Sequence, residues 1–214
     1  MKLTLSIPES LSEVTLNQYQ QWLKVAEGKD MNTFLQQKMI EIFCKVSLKQ
    51  VLQMKVKDVD EITRDINKMF TDKNKLIKTF TLDNQEYGFI PKLDDMAFGE
   101  YIDLDTYLSE WQNMHKAMNV LYRPITFKKK GQYLIEEYEG SGKYDLKRMP
   151  LDIVFGALVF FWNLRNELQK HILSYLANQT EVPISQELRD SLKSGAGINP
   201  STLWQQETLG DLMT

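Results

Sequence analysis

Pro150-Leu151-Asp152-Ile153-Val154-Phe155-Gly156-Ala157-Leu158-Val159-Phe160-Phe161-Trp162-Asn163-Leu164-Arg165 is the stretch on which the fold turns. Pro150 suits the first turn of a helix, where a missing backbone N–H costs nothing. The apolar run from Ile153 to Trp162 is about ten residues long and is followed by Arg165, Glu167 and Lys170, whereas a membrane span needs roughly 20 apolar residues. A long buried helix over 150–177, apolar on nearly all sides and central to the domain, is therefore expected. Everything before it must supply surfaces that pack against it.

Working back towards the N-terminus, helical signals dominate. Thr15 and Gln18 have the spacing of a reciprocal helix cap, and Gly28 is a natural stop, which predicts a helix to Glu27. Asn32 can cap a second helix carrying Phe34, Leu35, Met39, Ile40, Ile42 and Phe43, ending at Cys44. A short helix is expected over Leu48 to Met54. Asp58 and Glu61 open another, with Val59, Ile62, Ile66, Met69 and Phe70 on one stripe. Asp94 or Asp95 can cap a further helix with Met96, Tyr101, Leu104, Tyr107, Leu108 and Trp111, and Met114, Met118 and Leu121 define the next, which Pro124 breaks.

The strand signals are few. Lys2 to Ile7 alternates apolar and polar residues and reads as a strand, not as a signal peptide. Thr79 to Leu82 and Tyr87 to Ile90 flank Asp83-Asn84-Gln85-Glu86, and Ile125 to Phe127 and Tyr133 to Tyr138 flank Lys128-Lys129-Lys130-Gly131, so two hairpins are expected. The fold class is α+β and predominantly helical, with a small antiparallel sheet or hairpins. Residues 1–177 form the globular domain. Residues 178–214 are an extended, flexible acidic tail, because their apolar content is too low for a core. That tail carries five acids against two bases and so accounts for the whole net charge of -3. It finishes in Asn199-Pro200-Ser201-Thr202, a helix cap and first turn, followed by Leu203, Trp204, Leu209, Leu212 and Met213. A short amphipathic helix of this kind docks in a groove, on a partner or on its own domain, and these five residues are the candidate partner-binding set.

Charge and motif content exclude several functions. The remaining charge is balanced, so no global field draws nucleic acid or membrane to the chain. One cysteine, Cys44, permits no intrachain disulfide and no cysteine-rich metal site. His115 and His171 stand alone at ligand spacing, so no metal is expected. Gly140-Ser141-Gly142-Lys143 lacks the first glycine and the closing hydroxyl of a phosphate-binding loop and reads as a turn. The acids Asp94, Asp95, Glu100, Asp103 and Asp105 fit helix capping better than a cation cage, and Lys128 to Lys130 reads as a solvated hairpin tip. No cofactor and no catalytic set is expected. The strongest enzymatic alternative uses the carboxylates around Asp103 with His115.

Three stretches carry a resemblance: Phe89-Ile90-Pro91-Lys92-Leu93-Asp94-Asp95-Met96-Ala97-Phe98-Gly99-Glu100-Tyr101-Ile102-Asp103-Leu104-Asp105, His115 to Ile125, and Gly156 to Leu164. They resemble segments of small proteins encoded among tailed-bacteriophage morphogenesis genes. The resemblance implies a role in virion assembly, with the tail assembly chaperone as the nearest functional class. It also implies phage tail or connector components, or neighbouring copies, as partners, and the host cytoplasm as the place of action. A ring, connector or adaptor subunit retained in the virion at the head-to-tail junction is the alternative.

Overall fold

The computed structural model describes residues 5–179. It contains seven α-helices and a four-stranded antiparallel sheet, an α+β fold that is mostly helical. Helices α1 (Leu16–Ala26) and α2 (Thr33–Phe43) start as their caps dictate. The Thr15 hydroxyl accepts from the Gln18 N–H at 3.3 Å while Gln18 Oε1 accepts from the Thr15 N–H at 3.0 Å, and Asn32 accepts from the Leu35 N–H at 3.0 Å. Gln18 is buried, and its amide also donates to the Ile42 carbonyl at 2.7 Å, tying α1 to the end of α2.

Helix α3 (Leu48–Val51) is a single turn, and α4 (Val56–Met69) begins two residues before the expected Asp58, with Lys55 at its cap position. The buried face of α4 is Ile62, Thr63, Ile66 and Met69, as the spacing requires. Tyr19, Phe70 and Phe155 meet at ring-centroid distances of 5.4 to 6.3 Å, and Trp111 closes on Tyr19 at 4.8 Å. This aromatic centre joins α1, the end of α4 and the start of the last helix.

Both expected hairpins form, and they combine into one sheet in the order β1-β2-β3-β4 (Thr79–Leu82, Gln85–Phe89, Tyr122–Lys129, Gln132–Ile135). The turns are two residues long, tighter than the four expected at each. Asp83 and Asn84 have φ of 50° and 63°, and Lys130 and Gly131 have 49° and 80°, the left-handed pairs that match the twist of antiparallel strands. Pro124 does more than break a helix: α6 (Met114–Leu121) ends immediately before β3, and Pro124 sits inside β3 opposite Tyr87. Just beyond it the pairing slips, Ile125 facing Ile135 but Phe127 facing Leu134, so Thr126 is an extra residue. Pro124 precedes the bulge, and the registered β3–β4 pairs begin only at Ile125.

Helix α7 (Leu151–Gln179) is the long helix expected, but it is not buried all round. Leu151 and Ile153 to Leu158 are buried, Phe160 to Trp162 are half-buried, and Asn163, Leu164, Glu167 and Lys170 are exposed. Its first two turns lie in the core, and Phe160 and Phe161 pack against it while partly buried. Its start is fixed by α1, since the Leu16 N–H donates to the Met149 carbonyl and the Leu151 N–H to the Val14 carbonyl, both at 2.9 Å. The N-terminal strand is a further correction. Leu5 to Ile7 adopt no strand, because they find no ladder partner in the sheet; positions 1–4 lie outside the described residues. The same holds for 180–214, and so for Leu203, Trp204, Leu209, Leu212 and Met213.

Candidate functional site

Helix α5 (Phe98–Leu108) splits its residues by face. Glu100, Leu104 and Leu108 repeat every four residues and are buried against the domain, on the side where α5 packs along α6. Phe98, Tyr101 and Ile102, at i, i+3 and i+4, form the opposite face and are 78%, 53% and 46% exposed. Asp105 extends that face by one more turn. Tyr101 was expected on the buried stripe with Leu104 and is turned to solvent instead. Trp111 falls in a separate 3-10 turn, Trp111–Asn113, beyond the end of α5.

Neither Asp94 nor Asp95 caps α5. Both lie in a 3-10 turn at Leu93–Asp95, and the helix is closed by Glu100, whose carboxylate accepts from the Ala97 N–H at 2.6 Å. The other Glu100 oxygen lies 2.6 Å from Arg123 Nη1 on β3, with both side chains more than nine-tenths buried. The contact is ionic and imperfectly aligned, because Glu100 Oε1 and Arg123 Nε have no hydrogen-bond partner of good geometry. Tyr138 completes the group. Its ring lies 5.7 Å from the Arg123 guanidinium, and its hydroxyl donates to Asp103 on α5. Burial, and then the Asp103 carboxylate, raise the Tyr138 pKa, so the phenol keeps its proton. Glu100, Asp103, Arg123 and Tyr138 thus brace α5 against β3 and the chain after β4. The sequence reading missed this pair because nothing in the spacing of Glu100 and Arg123 announces a contact.

His115 and Asp103 have different partners. His115 Nδ1 is 3.4 Å from the Gln20 amide nitrogen on α1. Partial burial lowers its pKa first, and Lys147 and Lys116 lower it further, against a smaller opposing effect of Asp145. A histidine with a folded pKa below its unfolded value takes up its proton more readily when unfolded, so stability falls as pH drops through 6.5. His115→Gln is expected to remove that component. Urea denaturation of both proteins at pH 7.5 and 5.5 checks it, and equal losses of stability in the two would contradict it.

The remaining sequence candidates are structural. Cys44 is buried and its thiol is pushed up to about 11 by burial, which makes it a poor nucleophile. Lys143 pairs with Glu136 at 2.9 Å and Glu139 at 3.1 Å, so the glycine-flanked loop is closed on itself by charge. Lys128 pairs with Glu86 across the sheet. Among the described residues no group of three or more His, Cys, Asp or Glu side chains is placed to hold a metal ion, and no helix is long and apolar enough to cross a membrane.

Among the described residues, the face of Phe98, Tyr101 and Ile102 on α5 is one exposed apolar feature with no evident structural role. No family model, curated protein or solved structure matches the chain.

Proposed function

We propose that the protein is a non-enzymatic bacteriophage assembly factor, acting by protein–protein binding in the host cytoplasm as a tail assembly chaperone. The observation that carries this reading is the solvent-facing stripe of Phe98, Tyr101 and Ile102 on α5, within the segment that resembles phage morphogenesis proteins. Large aromatic and branched side chains clustered in the open raise the free energy of the isolated domain in water, and covering them releases it, at roughly 25 cal/mol per Å² of apolar area. Asp105 continues this face on α5 and Asp94 lies in the turn before it, so a tail or connector component that brings apolar residues with lysine or arginine beside them fits best. Segment 199–214, with Leu203, Trp204, Leu209, Leu212 and Met213, supplies the second contact.

Polar replacement of the face, Phe98→Ser with Ile102→Ser, and separately deletion of 199–214, are expected to leave the domain folded and to abolish capture of tail or connector proteins from infected cells. Capture of the same proteins by both variants at the wild-type level would refute the proposal. The rival reading, a ring or connector subunit, draws on one observation: β1 and β4 end the sheet with their outer edges unpaired among the described residues, which edge-to-edge association of copies would cover. Detection of the protein in washed mature particles favours that rival.

A further inference from the structure

A second apolar site is created by the bulge in β3. Strand alternation would put Phe127 on the same side as Ile125, but the extra residue Thr126 reverses it. Ile125 and Tyr133 therefore pack over Gly88, where Tyr133 also donates to the Phe89 carbonyl at 2.8 Å, while Phe127 and its partner Leu134 turn to the other side. Phe127 is 55% and Leu134 61% exposed. The next registered pair, Lys129 and Gln132, shares their side, and both are exposed. Lys128, on the opposite side, is already paired with Glu86. The outward face of this hairpin is thus an apolar pair with Lys129 beside it, a lysine in no ion pair among the described residues, and Lys130 at the turn.

Segment 199–214 is its chemical complement. It holds Leu203, Trp204, Leu209, Leu212 and Met213 with Glu207 and Asp211, and no lysine or arginine. Trp204 and Glu207 are three residues apart, the spacing that puts an apolar and an acidic side chain on one helical face. The α5 stripe is a poorer receptor for this segment, because Asp105 continues that face and would meet Glu207 or Asp211 with like charge. About 24 residues separate Gln179 from Leu203, enough to span roughly 80 Å when extended, so reach does not limit the contact.

We propose that the outward face of the β3–β4 hairpin, formed by Phe127, Leu134 and Lys129, is the docking site of this chain's own segment 199–214, with Trp204 on the apolar pair and Glu207 beside Lys129. In the free protein the tail is then held in cis, and a partner that takes the tail must displace it. This concerns the free chain and does not depend on what α5 binds, so either idea can fail alone.

Disulfide trapping in the full-length protein tests it, because Cys44 is buried and does not compete. Gln132→Cys with Gln206→Cys, oxidised with diamide, is expected to close an intrachain disulfide at least about tenfold faster than the comparator Gln53→Cys with Gln206→Cys, since docking raises the local concentration of the two thiols above that of a free tether. Lys129→Glu should cut the faster rate towards the comparator's, and adding Glu207→Lys should restore it. Equal rates at 132 and 53 would overturn the proposal. Disulfides formed only between two chains would also overturn it, and would assign the face to a second copy.

Discussion

Arg123→Met is expected to destabilise the domain by about 3–5 kcal/mol, the range found when one member of a buried ion pair is removed. Among the described residues Glu100 has no other counter-charge: one oxygen holds the Ala97 N–H and the other faces Arg123 at 2.6 Å, with the side chain almost wholly buried. Taking away the guanidinium leaves a carboxylate in low dielectric with only a single neutral donor. For a domain of this size the loss corresponds to a fall of about 6–20 °C in Tm. The double change Glu100→Met with Arg123→Met should cost less than Arg123→Met alone, because it removes the stranded charge, although losing the Glu100 cap retains about 1 kcal/mol of the damage. Urea denaturation of the two single variants and the double variant measures the coupling. Strictly additive effects would mean that the pair does not act as a unit.

The second large effect comes from a glycine in the deciding helix. A Cβ built on Gly156 would lie 2.2 Å from the Lys75 carbonyl oxygen and 2.9 Å from its carbon, so the segment before β1 crosses α7 in direct backbone contact. Both obstacles are main chain, which cannot rotate aside as a side chain can. Gly156→Ala must push the 75–76 segment off the helix or bend the helix away from the aromatic centre around Phe155. A cost of about 3 kcal/mol, at the upper end for overpacking, is expected, despite alanine's better helix propensity. Gly99→Ala on α5 is the control, since nothing lies within 4 Å of a Cβ there; it should leave stability unchanged or raise it by about 0.5 kcal/mol. Thermal unfolding of the two variants checks the contrast, and equal midpoints would contradict the close approach.

The contrast between these two positions shows what could be read from the chain directly. Caps and periodicity are local signals, and Thr15, Asn32 and the stripe from Ile62 to Met69 gave helices where they were expected. The two hairpins were legible for the same reason, since Asp83-Asn84 and Lys130-Gly131 are turn-forming residues between β-prone runs. What escaped was set by contacts distant in sequence. Glu100 looked like one acid in a helix-start cluster, and only the approach of β3 makes it half of a buried pair. Gly156 carries no signal of its own in the apolar run, and only the crossing of Lys75 explains it.

Phe127 shows a different dependence on context. Period-two reading puts it with Ile125 on the covered side, and one inserted residue, Thr126, sends it to solvent. The burial of α7 was overread because composition alone cannot say how far a core extends along a helix; Asn163, Leu164, Glu167 and Lys170 are exposed. The exposed stripe on α5 was half visible, as the resemblance marked the segment but Tyr101 was counted with the core. The set around Trp204 lies outside the described residues, and its role as a partner contact remains a proposal.

Hydroxyl-radical footprinting of the protein, free and in complex with the tail or connector component it captures, tests the α5 reading most directly. Phe98 and Tyr101 are open to solvent in the free domain, so they should oxidise readily there and several-fold more slowly in the complex, with Phe34, about as exposed as Tyr101, unchanged. Identical oxidation of Phe98 and Tyr101 in the two states would mean that the partner does not cover α5, and the proposed mode of action would be wrong.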